Sequence, residues 1–342
     1  MRLLIVTQAV DKNDLFLGFF HGWLEEFSKH FAHITVICLK KGVFSLPENV
    51  EVLSLGKESS TSRPARVWRF YRFIISRRNE YDAVLVHMNE EYVLLGGWLW
   101  KRWRKRVYMW RNHYSGSKRT DSAARWCDKI FCTSKFSYTM KYPKTVLMPV
   151  GVDTELYRRL PDVPRDPCAV LFYARLSPSK RPDMLLEALY ALHRKGVSFS
   201  ADFYGTPLPK DEPYLEALKT KTKTYGLEDT IRFMPGAPHR EGPRIFNAHA
   251  IFADLGLSGM YNKMLFEAAA CECMVLTSSK DFAELVDKKF IFEENSVEDL
   301  AQKLEGLLNL SLIEQQGAGS QLRNIAKQHS VSALSEHLVR EI

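Results

Sequence analysis

The stretch LFYARLSPSKRPDMLLEAL, residues 171–189, carries the clearest fold signal in the chain. An apolar run suited to a buried strand stops at Arg175. Ser177, Pro178, Ser179 and Lys180 make a short polar loop, and Pro182, well placed at a first helical position, opens a periodic pattern over 182–194. Strand, loop and helix in that order form the repeating unit of a parallel sheet. In open α/β sheets, ligands bind beyond the carboxyl ends of strands, against helix N-termini that favour anions. Arg175 and Lys180 stand at that place. Two cations and a helix end suit a pyrophosphate, whose oxygens take charge-assisted hydrogen bonds. Two solvated surface cations are the alternative that position alone leaves open.

The same alternation runs outward in both directions. Downstream come SFSADFYG, a helical pattern over 213–224, TIRFMPG, another over 240–248, AIFADLGL, a helix over 262–272, MVLTSS, and a helix opening at Ser296 with Glu298 and Asp299 in its first turn. Upstream, RLLIVT precedes a helix over about 18–30. HITVICL, VEVLSL, a helix over about 64–78, AVLVHM, a helix from about 90, RVYMW, KIFCTS and TVLMPVG follow, giving seven strand candidates. The Pro- and charge-rich YRRLPDVPRDP (157–167) reads as a linker. The expected organisation is a first Rossmann-like domain over 1–156, the linker, a second over 168–325, and a C-terminal helix over 326–342 that packs back on the first domain. The length of 342 residues fits two domains of about 150 residues each.

Composition excludes several classes. With 46% hydrophobic and 26% charged residues the chain is an ordinary globular one. Its longest apolar run, YVLLGGWLW, falls well short of the roughly 18 residues of a membrane span. MRLLIVTQ enters a strand with no cleavable signal pattern, so a cytoplasmic protein is expected and the six scattered cysteines read as reduced. No G-x-G-x-x-G, G-x-S-x-G, Walker lysine motif, H-E-x-x-H or Asp-x-Asp pair is present, which removes support from dehydrogenase, hydrolase, ATPase and metalloprotease readings.

A second strand–loop–helix, AIFADLGLSGMYNKMLFEAAAC (250–271), repeats the first geometry. Lys263 and Glu267 share a helix face there, and the carboxylate either accepts bonds from a ribose diol or makes a surface ion pair with Lys263. Together, GVDTELY (151–157), ARLSPSKRPDMLLEAL, ADFYGTP, GLEDTIRFMPGAP and NKMLFEAAAC resemble the ordered motifs of the retaining family 4 glycosyltransferases. That resemblance spans nearly the whole chain. It implies a GT-B fold, α/β with two Rossmann-like domains facing each other across a cleft.

By resemblance, Arg175 and Lys180 neutralise the leaving diphosphate of a nucleotide-sugar donor, Glu267 holds its ribose, and Lys263 and Gly205 belong to the same donor site. Gly18 in LFLGFFHGW stands where the family has a glycine-rich loop. His87 matches a strand-end histidine near the transferred sugar, and His113 another strand-end histidine. No metal and no cofactor beyond the donor is implied, since the cations supply the stabilisation. The expected reaction is retaining transfer of a hexose-type sugar to a glycan or lipid-linked acceptor. One departure stands out. The first acid of the family's Glu-seven residues-Glu motif falls on Gly259, which keeps a second reading open, a catalytically impaired GT-B protein acting as a binding partner.

The net charge of +8 is concentrated: residues 63–119 hold fourteen Lys or Arg against four acids. RPARVWRFYRFIISRR (63–78) sets Val67, Phe70, Tyr71 and Ile74 on one helical face, and WLWKRWRKR (98–106) adds Trp98, Trp100 and Trp103 among cations. Such interleaving suits a peripheral contact with an anionic membrane through 63–106, or a core-facing stripe with a solvated basic back. No nucleic-acid partner is expected, because no motif for one is present.

Overall fold

The computed structural model describes residues 1–342 except 15, 16, 257, 260 and 261. Contacts divide the chain into two units, Met1–Gly151 with Ser330–Ile342, and Val152–His329. Each is built on its own parallel sheet.

In the first unit, β1 (Arg2–Val10) shows why the sheet forms. Its alternate side chains are apolar on both faces. Leu3 and Ile5 enter one core cluster, while Leu4 and Val6 enter another. A strand buried on both faces needs helices on both sides. There follow α1 (Phe19–Ser28), β2 (His33–Lys41), β3 (Val50–Ser54), α2 (Arg63–Ser76), β4 (Ala83–His87), α3 (Glu90–Arg102), β5 (Arg106–Trp110), α4 (Lys118–Trp126), β6 (Lys129–Cys132) and β7 (Thr145–Leu147). The strand order is β3-β2-β1-β4-β5-β6-β7, all parallel. One face is covered by α1 through Phe20, Trp23, Leu24 and Phe27. The other is covered by α2 and α3 through Phe70, Ile74, Val93 and Trp100. Each such side chain, fully buried, contributes about 1.5–3 kcal/mol.

The stripe of α2 quoted above is therefore largely a core face. Phe70 and Ile74 are buried and Tyr71 is half-buried, although Val67 is exposed. Trp100 is also core, with its indole N–H donating to Tyr81 Oη (3.2 Å), whereas Trp98 is exposed. The sequence reading took Trp98, Trp100 and Trp103 together as aromatics among cations, but residues two apart on a helix point to nearly opposite sides.

The second unit runs β8 (Asp166–Tyr173), α5 (Pro182–Arg194), β9 (Ser200–Tyr204), α6 (Glu212–Thr224), β10 (Ile231–Met234), α7 (Gly242–Ala248), β11 (His249–Asp254), α8 (Lys263–Ala270), β12 (Met274–Thr277), α9 (Lys280–Ala283), α10 (Val297–Leu308) and α11 (Leu312–Gln328). Its strand order is β10-β9-β8-β11-β12, again parallel. Ser296 caps α10, its hydroxyl accepting from Asp299 N at 3.1 Å. Residues 157–167 are packed into this unit rather than strung out as a linker. Tyr157 is buried, Arg159 Nη1 donates to Asn247 Oδ1 (2.7 Å), and the Arg165 guanidinium donates to the carbonyls of Asn247, Cys271 and Glu272. The last helix, α12 (Val331–Glu341), belongs to the first unit, where Leu334 and Leu338 join the α1 core. Among the described residues no helix is long and apolar enough to cross a membrane.

Candidate active site

In the second sheet β8 is central. The chain adds β9 and β10 on one side and β11 and β12 on the other, so the switch in direction lies between β8 and β11. Loops leaving those two strands must part there and open a crevice at the carboxyl edge.

The loop after β8 carries the half-buried Arg175 and Lys180. It closes on itself: Lys180 N donates to Ser177 O (2.9 Å), and the Ser177 and Ser179 hydroxyls share a bond of 3.0 Å. The third cation, Arg181, takes a left-handed backbone (φ 54°) and begins α5. Its Nε donates to Leu255 O (2.9 Å), its Nη2 to the same oxygen, and its Nη1 to Asn295 Oδ1 (2.5 Å). Arg181 thus ties the β8 loop to the β11 loop across the switch point, a role the sequence reading missed. Nothing local signals it, because its partners lie 74 and 114 residues away.

Gly205 follows β9. Its amide donates to Met234 O (3.0 Å), and a Cβ there would stand 1.9 Å from the carbonyl oxygen of Ala174. Only glycine lets the ends of β8 and β9 lie this close.

The loop after β11 is anchored by Asp254, which is buried. Its carboxylate accepts from Asn262 Nδ2 (2.9 Å), Gly256 N (3.3 Å) and Thr277 Oγ1 (3.1 Å). Asn262 in turn caps α8, Oδ1 accepting from Met264 N at 3.2 Å. Gly259, in place of the family acid, is buried with φ +89°.

The Lys263–Glu267 pair is not a surface ion pair. Glu267 is 4% exposed and meets His239 Nε2 at 3.2 Å. His239 is held by Tyr157, whose hydroxyl donates to His239 O (2.7 Å) and whose ring lies edge-on to the imidazole at 5.1 Å. Tyr173 Oη donates to Ala237 O (3.0 Å), fixing the same β10 loop. Burial pushes the Lys263 ammonium down to about 7, against the opposing pull of Glu267 and Asp153. His239, Asp153 and Tyr157 were not singled out from sequence, since Asp153 and Glu267 are far apart along the chain.

Arg175, Lys180, Gly205, Lys263 and Glu267 thus all lie at the carboxyl edge of one sheet. Gly18, His87 and His113 lie at the carboxyl edge of the other. Gly18 is the N-cap of α1 with ordinary helical φ of −55°, its amide bonded to Asp14 O (3.0 Å). His87 ends β4 and is enclosed at 2% exposed. Its Nδ1 meets Thr7 Oγ1 at 3.1 Å, and its ring stacks on Phe20 (4.3 Å) with Trp23 at 5.7 Å. That is the environment of a satisfied core histidine. His113, half-buried, turns Nδ1 to Ser115 (2.8 Å to its hydroxyl) and stacks on Tyr114.

Comparison with known proteins gives this geometry a family. The D-inositol 3-phosphate glycosyltransferase of Frankia alni is 28% identical over 142 residues, covering 38% of this chain and about a third of that protein's length. The Anabaena protein HepE, solved in complex with UDP, superposes with a TM-score of 0.80 over 99% of both chains at 17% identity. Sucrose-phosphate synthase from Thermosynechococcus elongatus gives 0.79 over 99% and 98%, at 14%. These likenesses establish the GT-B fold. Residues 153–328, just over half the chain, match the family described as glycosyl transferases group 1, and the chain belongs to that family.

Proposed function

We propose that this glycosyltransferase is a retaining, family 4 enzyme that moves a hexose-type sugar from a nucleotide-diphosphate sugar to a glycan or lipid-linked acceptor without a metal. The observation that carries the reading is the pair of loops at the switch point of the second sheet. One brings Arg175 and Lys180, and the other delivers α8 with Lys263 and the buried Glu267. As the bond from the sugar to the diphosphate breaks, negative charge gathers on the departing phosphate oxygen. Arg175, Lys180 and the N-terminal end of α5 are placed to meet it, the electrostatic work a divalent ion does elsewhere. Glu267, held by His239, is positioned to accept from a ribose diol. UDP and UDP-glucose, bound by HepE, are the donor chemistry to test first. The acceptor enters from the first unit in this reading. Its setting is polysaccharide biosynthesis on the cytoplasmic side of a membrane, where lipid-linked acceptors are presented.

The test is a thermal-shift series with UDP, GDP, ADP, TDP and CMP on the native chain and on Arg175→Ala/Lys180→Ala. At 100 times its dissociation constant a ligand raises stability by about 2.7 kcal/mol. Stabilisation by UDP that disappears in the double variant supports the reading. A folded protein that answers to none of the five removes it. Retained UDP binding with no transfer to any acceptor would favour the impaired protein that Gly259 suggests.

A further inference from the structure

Helices α2 and α3 pack side by side on one face of the first sheet. Tyr71 Oη donates to Leu95 O (3.0 Å), and the Phe70 ring meets Tyr92 at 5.1 Å and Trp100 at 6.1 Å. Their inward faces fill the core. Their outward faces form one surface, and its composition is unusual. On α2 the stripe opposite Phe70 and Ile74 is Trp68, Arg72 and Ile75, at positions i, i+4 and i+7. Trp68 is 60% exposed and its indole lies under the Arg72 guanidinium at 5.4 Å. Val67 and Ile75 are exposed beside it, and on α3 Trp98 is 50% exposed, one turn before the exposed Arg102.

Cations surround these apolar groups. Arg63, Arg72 and Arg78 on and after α2, with Arg102 and Arg104 at and after the end of α3, are all exposed. The nearby acids are mostly engaged: Glu80 with Arg77 (3.0 Å), Asp82 with Arg2 (2.7 Å) and Glu90 with Arg111 (3.0 Å). Glu91 is the exposed acid of α3. We propose that this outward face of α2 and α3 docks on the surface of an anionic phospholipid bilayer, with Trp68, Ile75 and Trp98 entering the headgroup layer and the arginines meeting lipid phosphates.

Three features select that occupant. Indole rings favour the boundary between water and acyl chains, and arginine stems reach outward from it to phosphate. Nucleic acid would use the arginines and stack on the indoles, but it gains little from the aliphatic Val67 and Ile75 on a convex helix pair. A second copy of the same face would set five arginines against five. The contact is peripheral and independent of the transfer reading, because bare vesicles contain neither donor nor acceptor.

The experiment is flotation of the full chain with vesicles of phosphatidylcholine alone and with 30% phosphatidylglycerol by composition, an arbitrary anionic fraction of about one lipid in three. Binding is expected to the anionic vesicles only, and to weaken by at least about tenfold on raising salt from roughly 0.1 to 0.5 M. Trp68→Ser/Trp98→Ser should bind at least about tenfold more weakly. Arg72→Ala/Arg102→Ala should lose about thirtyfold. Both pairs are exposed, so circular dichroism and melting should match the native chain. Absence of vesicle binding, equal binding to neutral vesicles, or unchanged binding of the tryptophan variant would overturn the proposal. So would tighter binding to an oligonucleotide than to vesicles in the same salt, or a dimer abolished by the tryptophan substitutions.

Discussion

Lys263 gives the sharpest test of the donor site. In the empty protein its ammonium sits at the first position of α8, desolvated, with its pKa pushed down from 10.5 to about 7. A shift of this size between folded and unfolded chain corresponds to about 5 kcal/mol if burial is complete. The side chain keeps part of its surface in water, which offsets some of that, so a cost of about 2–4 kcal/mol is reasonable. The sign follows from proton binding. Between pH 7 and 10.5 the unfolded chain holds a proton here that the folded chain has released, so stability from this group rises with pH across that window and is flat below it. Lys263→Met should therefore stabilise the empty protein near pH 7 by about 2–4 kcal/mol.

A diphosphate bound beside Lys263 reverses the balance. The anion favours the charged form, so at pH 8, where about nine-tenths of the lysine is neutral, binding draws in about 0.9 proton per ligand. At pH 6 the lysine's share falls to about 0.1, because it is already charged, and the nucleotide's own phosphate, partly protonated there, releases protons instead. The nucleotide's phosphate is fully ionised at pH 8 and contributes nothing there. Titration calorimetry of UDP in two buffers of different ionisation enthalpy reads the number directly. Affinity should fall toward tenfold per pH unit above about 8, and Lys263→Met should weaken binding at pH 6.5 by about tenfold or more while changing little at pH 9. No proton uptake at pH 8, or the same uptake in Lys263→Met, would refute the binding of a diphosphate beside this ammonium.

Two further outcomes test the scaffold. Gly205→Ala puts a methyl 1.9 Å from Ala174 O, so the β8 loop must move; a loss of about 2–3 kcal/mol, roughly 5–10 °C in the melting midpoint, is expected together with weaker UDP binding, and an unshifted melt would show that the loop yields freely. His329, packed on Phe266 at 4.4 Å, is pushed down to about 4 by burial; the unfolded chain then binds the extra proton between pH 6.5 and 4, so stability falls with acid over that window, and His329→Leu should flatten the fall in urea titrations run at pH 7, 5.5 and 4.

Strands and most helices were legible because a parallel sheet writes each strand as a short apolar run and each helix as a periodic one. Three helices were not, the one-turn α9 among them. In α4 the segment KRTDSAARW is strongly polar, and its capping box uses Ser117 with Thr120 rather than a glutamate. In α11, Gly317 and Gly319 interrupt the pattern, leaving only Ser311 and Glu314 as a start signal. The site shows the same limit. Spacing placed Lys263 and Glu267 on one helix face but could not say what that face meets. The answer came from His239, 28 residues away in sequence, and from Tyr157 behind it. Arg181, next to Lys180, was passed over in the sequence, yet it holds two loops together.

The same reasoning bears on the missing acid. At Gly259 the backbone sits at φ +89°, a region that costs a side chain about 1–2 kcal/mol, and the position is buried. Upstream, Asp254 uses both carboxylate oxygens on Asn262, Gly256 and Thr277, and Asn262 then caps α8. Asp254 and Asn262 thus brace each other on either side of a residue whose backbone favours glycine. Reinstating glutamate there would strain the backbone and bury a charge, so it would test the loop before it tested the chemistry. What reads in the sequence as one contact deleted is, in the folded chain, a position whose backbone conformation favours glycine.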